Sequence, residues 1–258
     1  MKKSIMEMLI NPYNNNSLHL VNDNCLVDDE GAIIPIVNGI PDFLSLEQPA
    51  GLNKKYKRFY DKISRLNDVA EAVYGLFYNL NKLRSDWMKD VEVKPGWNVL
   101  ETSIGTGWNV KVLPEEGKYF GLDISDGMLK QCRKNSKKWK RDIELFQGNA
   151  EYLPFKSETF DSVFHVGGIN FFNDRQRAVN EMIRVAKPNT KIVIIDETEK
   201  KLIKNYRKIP FVSSYYKKSE TDAFRTAAPV DLVPDGMKDI AVKFFDDDKM
   251  YQLSFRKP

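Results

Sequence analysis

The segment that decides the fold covers residues 99–107 and reads VLETSIGTG. An apolar run ends here in a carboxylate, Glu101, and a turn that contains two glycines leads into the segment that follows. In an open α/β sheet, ligands bind beyond the carboxyl ends of the strands. Gly105 and Gly107 allow the backbone to approach a ligand closely, because they carry no Cβ. The segment therefore predicts a ligand site at the end of a buried strand.

The residues around this segment alternate between short apolar runs and helical patterns. Strands are predicted at 99–102, 119–122, 143–146, 160–166 and 191–195. Helices are predicted at 107–113, 125–136 and 174–186. Two alternating runs, 238–245 and 251–256, flank an acidic turn and predict a hairpin. The pattern predicts an α/β fold with a doubly wound, seven-stranded, mostly parallel sheet that ends in a C-terminal antiparallel hairpin.

Composition divides the chain into three parts. Residues 1–48 hold short apolar runs separated by turn residues and predict a small β-rich module. Residues 49–94 carry aromatic and aliphatic side chains at helical spacing and predict a helical lid. Residues 95–258 form the predicted α/β domain. Within that domain, 199–236 is a second candidate lid, whose aromatic side chains favour an aromatic or lipid-like ligand.

Composition and charge exclude several classes of protein. The 258 residues are 42% hydrophobic and 29% charged, which is typical of a globular chain. The formal net charge of +4 is too small to indicate a nucleic-acid-binding protein by itself. Two cysteines, Cys25 and Cys132, cannot build a disulfide framework or a four-thiolate zinc site. Because the sequence shows neither a transmembrane segment nor a signal peptide, a cytoplasmic location is expected.

Two classes of ligand use a glycine turn of this kind. A dinucleotide needs the pattern G-x-G-x-x-G, and Val110 stands here at the third glycine position. S-adenosylmethionine has no phosphate but carries an ammonium and a sulfonium group. The carboxylate of Glu101 suits that cationic end, directly or through water. The sequence therefore disfavours a dinucleotide and is compatible with S-adenosylmethionine.

Five motifs in this order and spacing resemble those of the class I S-adenosylmethionine-dependent methyltransferases. The resemblance is to the small-molecule branch that includes quinone-biosynthesis enzymes, and it covers roughly residues 95–197. The motifs are ETSIGTG at 101–107, GLDISDGML at 121–129, GNAEYLPF at 148–155, FDSV at 160–163 and EMIRVAKP at 181–188. Ser103 stands where the family usually has a first glycine, and Asn149 stands where it usually has an acid.

The resemblance implies how the cofactor is held. Asp123 is expected to accept hydrogen bonds from both ribose hydroxyls, and Met128 is expected to lie against the adenine ring. The side-chain carbonyl of Asn149 can accept a hydrogen bond from the adenine amino group. The other expected cofactor contacts are Glu101, Ser103, Gly105, Gly107, Ile124, Ala150 and His165.

Candidate catalytic residues follow the fourth and fifth predicted strands. The protein must position a nucleophile in line with the methyl group and, in some reactions, remove a proton. His165 is predicted to act as a base or to orient a substrate oxygen, the alternative being a packed histidine at a strand end. Asn170 is predicted to contact substrate or to cap a turn. Asp196, beside Glu197, is predicted to enter the substrate pocket or to remain a solvated charge.

Two further features have both a structural and a functional interpretation. Tyr60 and Tyr74 in the helical lid are candidate substrate contacts, the alternative being core packing. Basic residues recur between 130 and 141. Such a run is usually the solvated face of a helix, and the alternatives are an anionic membrane surface or RNA.

The N-terminal module is similar, over residues 31–44, to the end of a zinc-ribbon-like domain that precedes some methyltransferases, including bacterial rRNA guanine methyltransferases. The first cysteine pair of that domain corresponds here to Asn11 and Asn14. No metal is therefore expected. The module is interpreted as a degenerate remnant that packs on the catalytic domain, the alternative being an element that binds RNA or a partner.

The sequence as a whole predicts an S-adenosylmethionine-dependent methyltransferase for a small, aromatic or lipid-like acceptor. An rRNA methyltransferase and a non-catalytic S-adenosylmethionine-binding regulator are the alternatives. The segment HVGG at 165–168 replaces the Asx-Pro-Pro-aromatic turn of enzymes that methylate DNA amino groups, so DNA is not an expected partner. The missing zinc ligands disfavour RNA. Nothing in the sequence predicts an oligomeric state.

Overall fold

The structure is a computed structural model that describes residues 2–77, 80–198 and 228–258, without the side chains of residues 65–80. The described N-terminal residues form a four-stranded antiparallel sheet in the order β1-β2-β3-β4. A short helix precedes it. These elements are α1 (Lys3–Met6), β1 (Leu18–Asn22), β2 (Cys25–Asp28), β3 (Ile33–Val37) and β4 (Ile40–Pro41).

The carboxylate of Asp28 organises the turns of this small sheet. It accepts hydrogen bonds from the side-chain amides of Asn14 at 2.9 Å and Asn11 at 2.7 Å, and from the backbone N–H of Ala32 at 2.8 Å. The hydrogen bond from Asn14, followed by those from Asn11 and Ala32, lowers the pKa of Asp28 to about 2. Asn11 and Asn14, the positions compared above with a cysteine pair, thus both donate hydrogen bonds to one carboxylate. Over the described residues, no group of three or more His, Cys, Asp and Glu side chains is arranged to hold a metal ion.

Two helices connect the small sheet to the large one. They are α2 (Gly51–Phe77) and α3 (Leu80–Trp87). The α2 helix is anchored at its start, because the backbone N–H of Leu52 donates to Asn173 Oδ1 at 2.8 Å. None of the described helices combines the length and the apolar character needed to cross a bilayer.

The large sheet has seven strands in the order β10-β11-β9-β8-β5-β6-β7. The strands β5 to β9 are parallel, and β11 runs antiparallel to both of its neighbours. The prediction of a doubly wound, mostly parallel sheet with a C-terminal hairpin is confirmed. The elements are β5 (Asn98–Glu101), β6 (Lys118–Asp123), α4 (Asp126–Trp139), β7 (Ile143–Gln147), β8 (Ser162–Val166), α5 (Arg175–Val185), β9 (Lys191–Glu197), β10 (Lys238–Phe245) and β11 (Met250–Arg256).

The helix predicted at 107–113 is wrong. The structure has only a single 3₁₀ turn there, Val110–Val112. Gly107 has a φ of 84°, in the left-handed region, and Pro114 follows the turn. A proline disfavours the helical conformation of the preceding residue, so too few residues remain for an α-helix.

One continuous apolar cluster joins the N-terminal sheet to the large sheet. Leu26, Ile34 and Phe43 of the small module lie in the same cluster as Phe146 and Phe155 of the α/β part. All five side chains are at most 2% exposed. Two β-bridges attach the module, a parallel one from Asp42 to Gln147 at the end of β7 and an antiparallel one from Leu9 to Phe155. The module therefore shares its core with the large sheet. The domain boundaries at 48 and 94 stay predictions.

Candidate functional site

A cavity of about 450 Å³ lies at the carboxyl ends of the parallel strands, beside α2 and α3. Its volume is in the range of small-molecule sites. The position agrees with the rule that ligands of open α/β sheets bind beyond the strand ends. The structure brings nine of the sequence-predicted residues together in its walls: Tyr60, Ser103, Gly105, Asp123, Ile124, Met128, Asn149, Ala150 and Asp196.

The glycine loop between β5 and β6 is held by backbone hydrogen bonds. The N–H of Ile104 donates to the carbonyl of Leu122 at 3.0 Å. Gly107 is required for packing, since a Cβ there would lie 2.7 Å from the Cys132 sulfur of α4. It therefore faces α4 and is not part of the cavity wall. Ser103 lines the cavity and is not among the residues with positive φ, so a glycine is not required at that position.

Asp123 connects the glycine loop to the end of β6. Its Oδ2 accepts the N–H of Gly105 at 2.8 Å, and its Oδ1 accepts the N–H of Ser125 at 2.9 Å. Burial raises the pKa of this carboxyl to about 6. Each carboxylate oxygen can accept more than one hydrogen bond. Asp123 can therefore hold the loop and still accept hydrogen bonds from ligand hydroxyls.

Glu101 lies behind the loop and is fully buried. Its Oε1 accepts a hydrogen bond from the side-chain amide of Asn109 at 2.7 Å. Its Oε2 is also buried and has no hydrogen-bond partner among the described residues. Burial raises the pKa of Glu101 to about 8. Glu101 itself is not in the cavity wall, whereas Asn109 is. A cation bound in the cavity would favour the ionised form of this carboxyl.

Asp61 of α2, which the sequence analysis missed, ties the lid to the site. Its Oδ1 accepts hydrogen bonds from the Ser125 hydroxyl at 2.6 Å and from the Gly127 N–H at 3.2 Å. The Ser125 hydroxyl in turn accepts the N–H of Met128 at 3.1 Å and caps α4. The α2 helix is thus fastened directly beside Asp123 and Met128. No signal in the sequence indicates this contact, because 64 residues separate Asp61 from Ser125.

Asp196 lines the cavity near the end of β9 and is 3% exposed. Burial raises the pKa of its carboxyl to about 7. The N–H of Glu197 donates to Oδ1 at 2.7 Å, and the side-chain amide of Asn170 donates to Oδ2 at 3.4 Å. Asn170 does not line the cavity. It reaches the site through Asp196, and its contact with substrate stays a prediction.

The structure places His165 deeper than predicted. Its ring is fully buried, and the cavity wall contains Val166 and Gly167 but not His165. Nδ1 lies 3.1 Å from the Thr102 hydroxyl, and burial lowers the pKa of the ring to about 4. The geometry gives no support to His165 as a base or cofactor contact. The arrangement corresponds to the alternative of a packed histidine at a strand end.

The cavity also contains residues that the sequence analysis did not select. Tyr56 stacks on Phe171 with ring centroids 4.1 Å apart, and both line the cavity. The Arg84 guanidinium lies 5.6 Å from the centroid of the Trp108 ring, and both residues belong to the wall. Trp108 directly follows the glycine loop in the sequence, so its place near the ligand site could have been predicted. The side chain of Tyr74 and the aromatic residues of 199–227 lie outside the described residues.

The raised pKa values at this site predict that ligand-free protein loses stability as the pH rises. The carboxyls of Asp123, Asp196 and Glu101 have pKa values of about 6, 7 and 8, above their ordinary values of 3.8, 3.8 and 4.5. Between about pH 4 and 8 the native state therefore binds more protons than the unfolded chain, and stability falls with pH. Thermal unfolding scans should show a lower Tm at pH 8 than at pH 5.5. The Glu101→Gln variant should show a smaller fall, and a Tm that rises over this interval would contradict the prediction.

Comparisons with known proteins identify the chain as similar to methyltransferases. Residues 100–194 match the family model described as a methyltransferase domain. The chain is 33% identical over 171 residues to the demethylmenaquinone methyltransferase of Shouchella clausii (strain KSM-K16), covering 61% of this chain and 72% of that protein. It is 32% identical over 149 residues to the protein of the same name from Bacillus mycoides (strain KBAB4), covering 56% of this chain and 62%, less than two thirds, of that protein.

The fold also matches that of solved structures. A Thermotoga maritima protein described as a SAM-dependent methyltransferase matches with a TM-score of 0.56 at 20% sequence identity. The match covers 76% of this chain and 98% of that one. At this identity the likeness shows the fold alone.

Proposed function

This chain belongs to the class I S-adenosylmethionine-dependent methyltransferases, and from that premise we propose that its acceptor is a small aromatic molecule with a ring hydroxyl, such as a reduced quinone. The methyl donor is S-adenosylmethionine. The observation that carries the choice of acceptor is Asp196, a buried carboxyl that faces a cavity with several aromatic side chains. The names of the two relatives, demethylmenaquinone methyltransferases, support the same class of acceptor.

The residues of the site fit the cofactor. Oε2 of Glu101 is buried and has no hydrogen-bond partner among the described residues. A cation bound close to the glycine loop would therefore be stabilised by the negative charge of this carboxylate. Asp123 offers carboxylate oxygens to the ribose hydroxyls. Ile124 and Met128 supply apolar surface for the adenine ring, and Asn149 supplies polar atoms at the same wall. When bound, S-adenosylmethionine supplies a methyl group that is already activated by its sulfonium.

Asp196 has the properties required of the proton acceptor. Its pKa of about 7 lies near the operating pH, where general-base catalysis is most effective. Accepting the proton of a ring hydroxyl leaves the acceptor electron-rich. With the methyl donor bound, the ring carbon next to that oxygen would take the methyl group as the bond from the methyl carbon to sulfur breaks. The hydrogen of that ring carbon would then leave to solvent as a proton while the oxygen regains the proton from Asp196, which restores the aromatic quinol. Asn170 orients the carboxyl through its 3.4 Å hydrogen bond, which makes it a positioning residue.

Labelled methyl transfer to defined acceptors tests this proposal. Purified protein is incubated with methyl-labelled S-adenosylmethionine and either reduced 1,4-naphthoquinone or its 2,3-dimethyl derivative, in which both ring carbons next to the hydroxyls are already substituted. We expect label in the unsubstituted quinol and much less in the methylated control. Label in total RNA instead of the quinol would favour an rRNA methyltransferase. Binding of the cofactor without transfer to any acceptor would favour a regulator.

A further inference from the structure

Among the residues that the structure describes, the cavity wall contains one positively charged side chain, that of Arg84 on α3. The other charged side chains of the described wall are the carboxyls of Asp123, Asp196 and Glu197. Neither the ribose and adenine contacts nor the proposed proton transfer makes use of a cation. S-adenosylmethionine carries one negatively charged group, the carboxylate of its amino-acid end. Arg84 is therefore the charged partner that the described wall offers to this carboxylate.

The electrostatic interaction with Glu101 places Arg84 at the end of the cavity where the amino-acid end is expected. Burial raises the pKa of Glu101 to about 8, and the positive charge of Arg84 acts in the opposite direction. Arg84 is thus close enough to influence this carboxyl. It does not occupy Oε2 of Glu101, which has no hydrogen-bond partner among the described residues. A cation at Oε2 and an anion at Arg84 can therefore be bound side by side.

The glycine loop and α3 meet at the Arg84 guanidinium. This group lies 5.6 Å from the centroid of the Trp108 ring, and Trp108 directly follows the glycine loop. A guanidinium is planar, so it can contact an aromatic ring through its face while its edge donates two parallel hydrogen bonds to a carboxylate. The contact with Trp108 is thus compatible with carboxylate binding.

Trp87 offers a second donor on the same side of α3. It follows Arg84 by three residues, which places the two side chains on one face of the helix, and both line the cavity. Its Nε1 is buried and has no hydrogen-bond partner in the part of the chain that the structure describes. An indole N–H can only donate, and leaving a buried donor unpaired is unfavourable. A ligand oxygen would supply the missing acceptor.

We propose that Arg84 and Trp87 bind the α-carboxylate of S-adenosylmethionine while Glu101 faces its ammonium. The two charged groups are attached to the same carbon of the cofactor, so their partners have to lie close together, as Arg84 and Glu101 do. The α3 helix thereby recognises the amino-acid end, and a ligand without the carboxylate loses this contact. The inference rests on the cofactor and not on the acceptor proposed above.

Isothermal titration calorimetry with two ligands tests the proposal. The ligands are S-adenosylhomocysteine and its decarboxylated analogue, which keeps the ammonium. Hydrogen bonds to a charged group contribute enough that the unmodified chain should bind S-adenosylhomocysteine about 10- to 150-fold more tightly than the analogue. The Arg84→Gln variant should lose most of this preference. The Trp87→Phe variant keeps an aromatic ring without the N–H and should lose about 2- to 10-fold of it.

The ratio of the two affinities separates carboxylate binding from a structural role. If Arg84 acted only through Glu101, the Arg84→Gln variant would bind both ligands more weakly by the same factor, which would overturn the proposal. An unmodified chain without preference between the ligands, or a folded Arg84→Gln variant that keeps the preference, would also overturn it.

Lys82→Gln is the matched control, because it removes one positive charge from an exposed position of α3 outside the cavity wall. The control variant should keep the full preference for S-adenosylhomocysteine. Thermal unfolding should show that all variants are folded at the temperature of the titration. No acceptor is present in these titrations, so their outcome is independent of whether the protein methylates a quinol.

Discussion

Replacing Asp123 with alanine is expected to weaken the binding of S-adenosylhomocysteine by at least tenfold. The carboxylate lies in the cavity wall and is the expected acceptor for the ribose hydroxyls. Hydrogen bonds to a charged group contribute about 1.5–3 kcal/mol, which corresponds to roughly 10- to 150-fold in affinity. The substitution also removes the acceptor for the Gly105 and Ser125 N–H groups, so the loop that carries the cofactor loses part of its support. Isothermal titration calorimetry measures the effect.

Asp126→Ala is the matched control, because that carboxylate lies three residues further on, at the exposed start of α4. The Asp126→Ala variant should bind S-adenosylhomocysteine with the same affinity as the unmodified protein. Thermal unfolding should show that both variants are folded at the temperature of the titration. If folded Asp123→Ala protein binds the ligand as tightly as the unmodified chain, the ribose assignment is wrong.

The largest effect on turnover is expected from Asp196→Asn. An amide of the same shape keeps the packing but cannot accept a proton, and the loss of a general base typically costs about 100- to 10,000-fold in rate. Initial rates of methyl transfer to a reduced naphthoquinone measure the loss in kcat. The rate of the unmodified enzyme should rise with pH through about 7, where Asp196 ionises, and this rise should disappear in the variant.

Glu197→Gln provides the comparison for this experiment. Glu197 is the next residue and also lines the cavity, but it is less buried than Asp196. Its substitution should keep the rise of the rate with pH but move it to lower pH, because the charge of Glu197 contributes to the raised pKa of Asp196. Because Asp196 is not expected to touch the cofactor, S-adenosylhomocysteine should bind the Asp196→Asn variant with nearly unchanged affinity. A variant that retains most of the methyl transfer rate would exclude Asp196 as the base.

The part of the site that could be predicted depends on local sequence. Gly105 and Asp123 stand at strand ends that are marked by apolar runs and glycines, so their place at one sheet edge follows from the parallel topology. His165 shows the limit of this reasoning. Neighbouring side chains of a strand point to opposite faces, so a side chain near a strand end can be buried while its neighbours line the cavity.

The contacts between distant segments could not be predicted. Asp61 reaches Ser125 only because α2 lies across the strand ends, and Arg84 enters the cavity from α3. Helical periodicity shows which side of a helix is apolar but not which residue it faces in another element. The same limit applies to Asn170, whose role depends on its hydrogen bond to Asp196, 26 residues away.

We expect the cavity to hold S-adenosylmethionine between the glycine loop and the end of β6. A crystal structure of the protein soaked with S-adenosylhomocysteine tests it most directly. We predict electron density for the nucleoside in this cavity, with both ribose hydroxyls on the carboxylate of Asp123 and the adenine ring against Met128. A cavity that stays empty in the soaked crystal, or a nucleoside bound elsewhere on the chain, would contradict the claim.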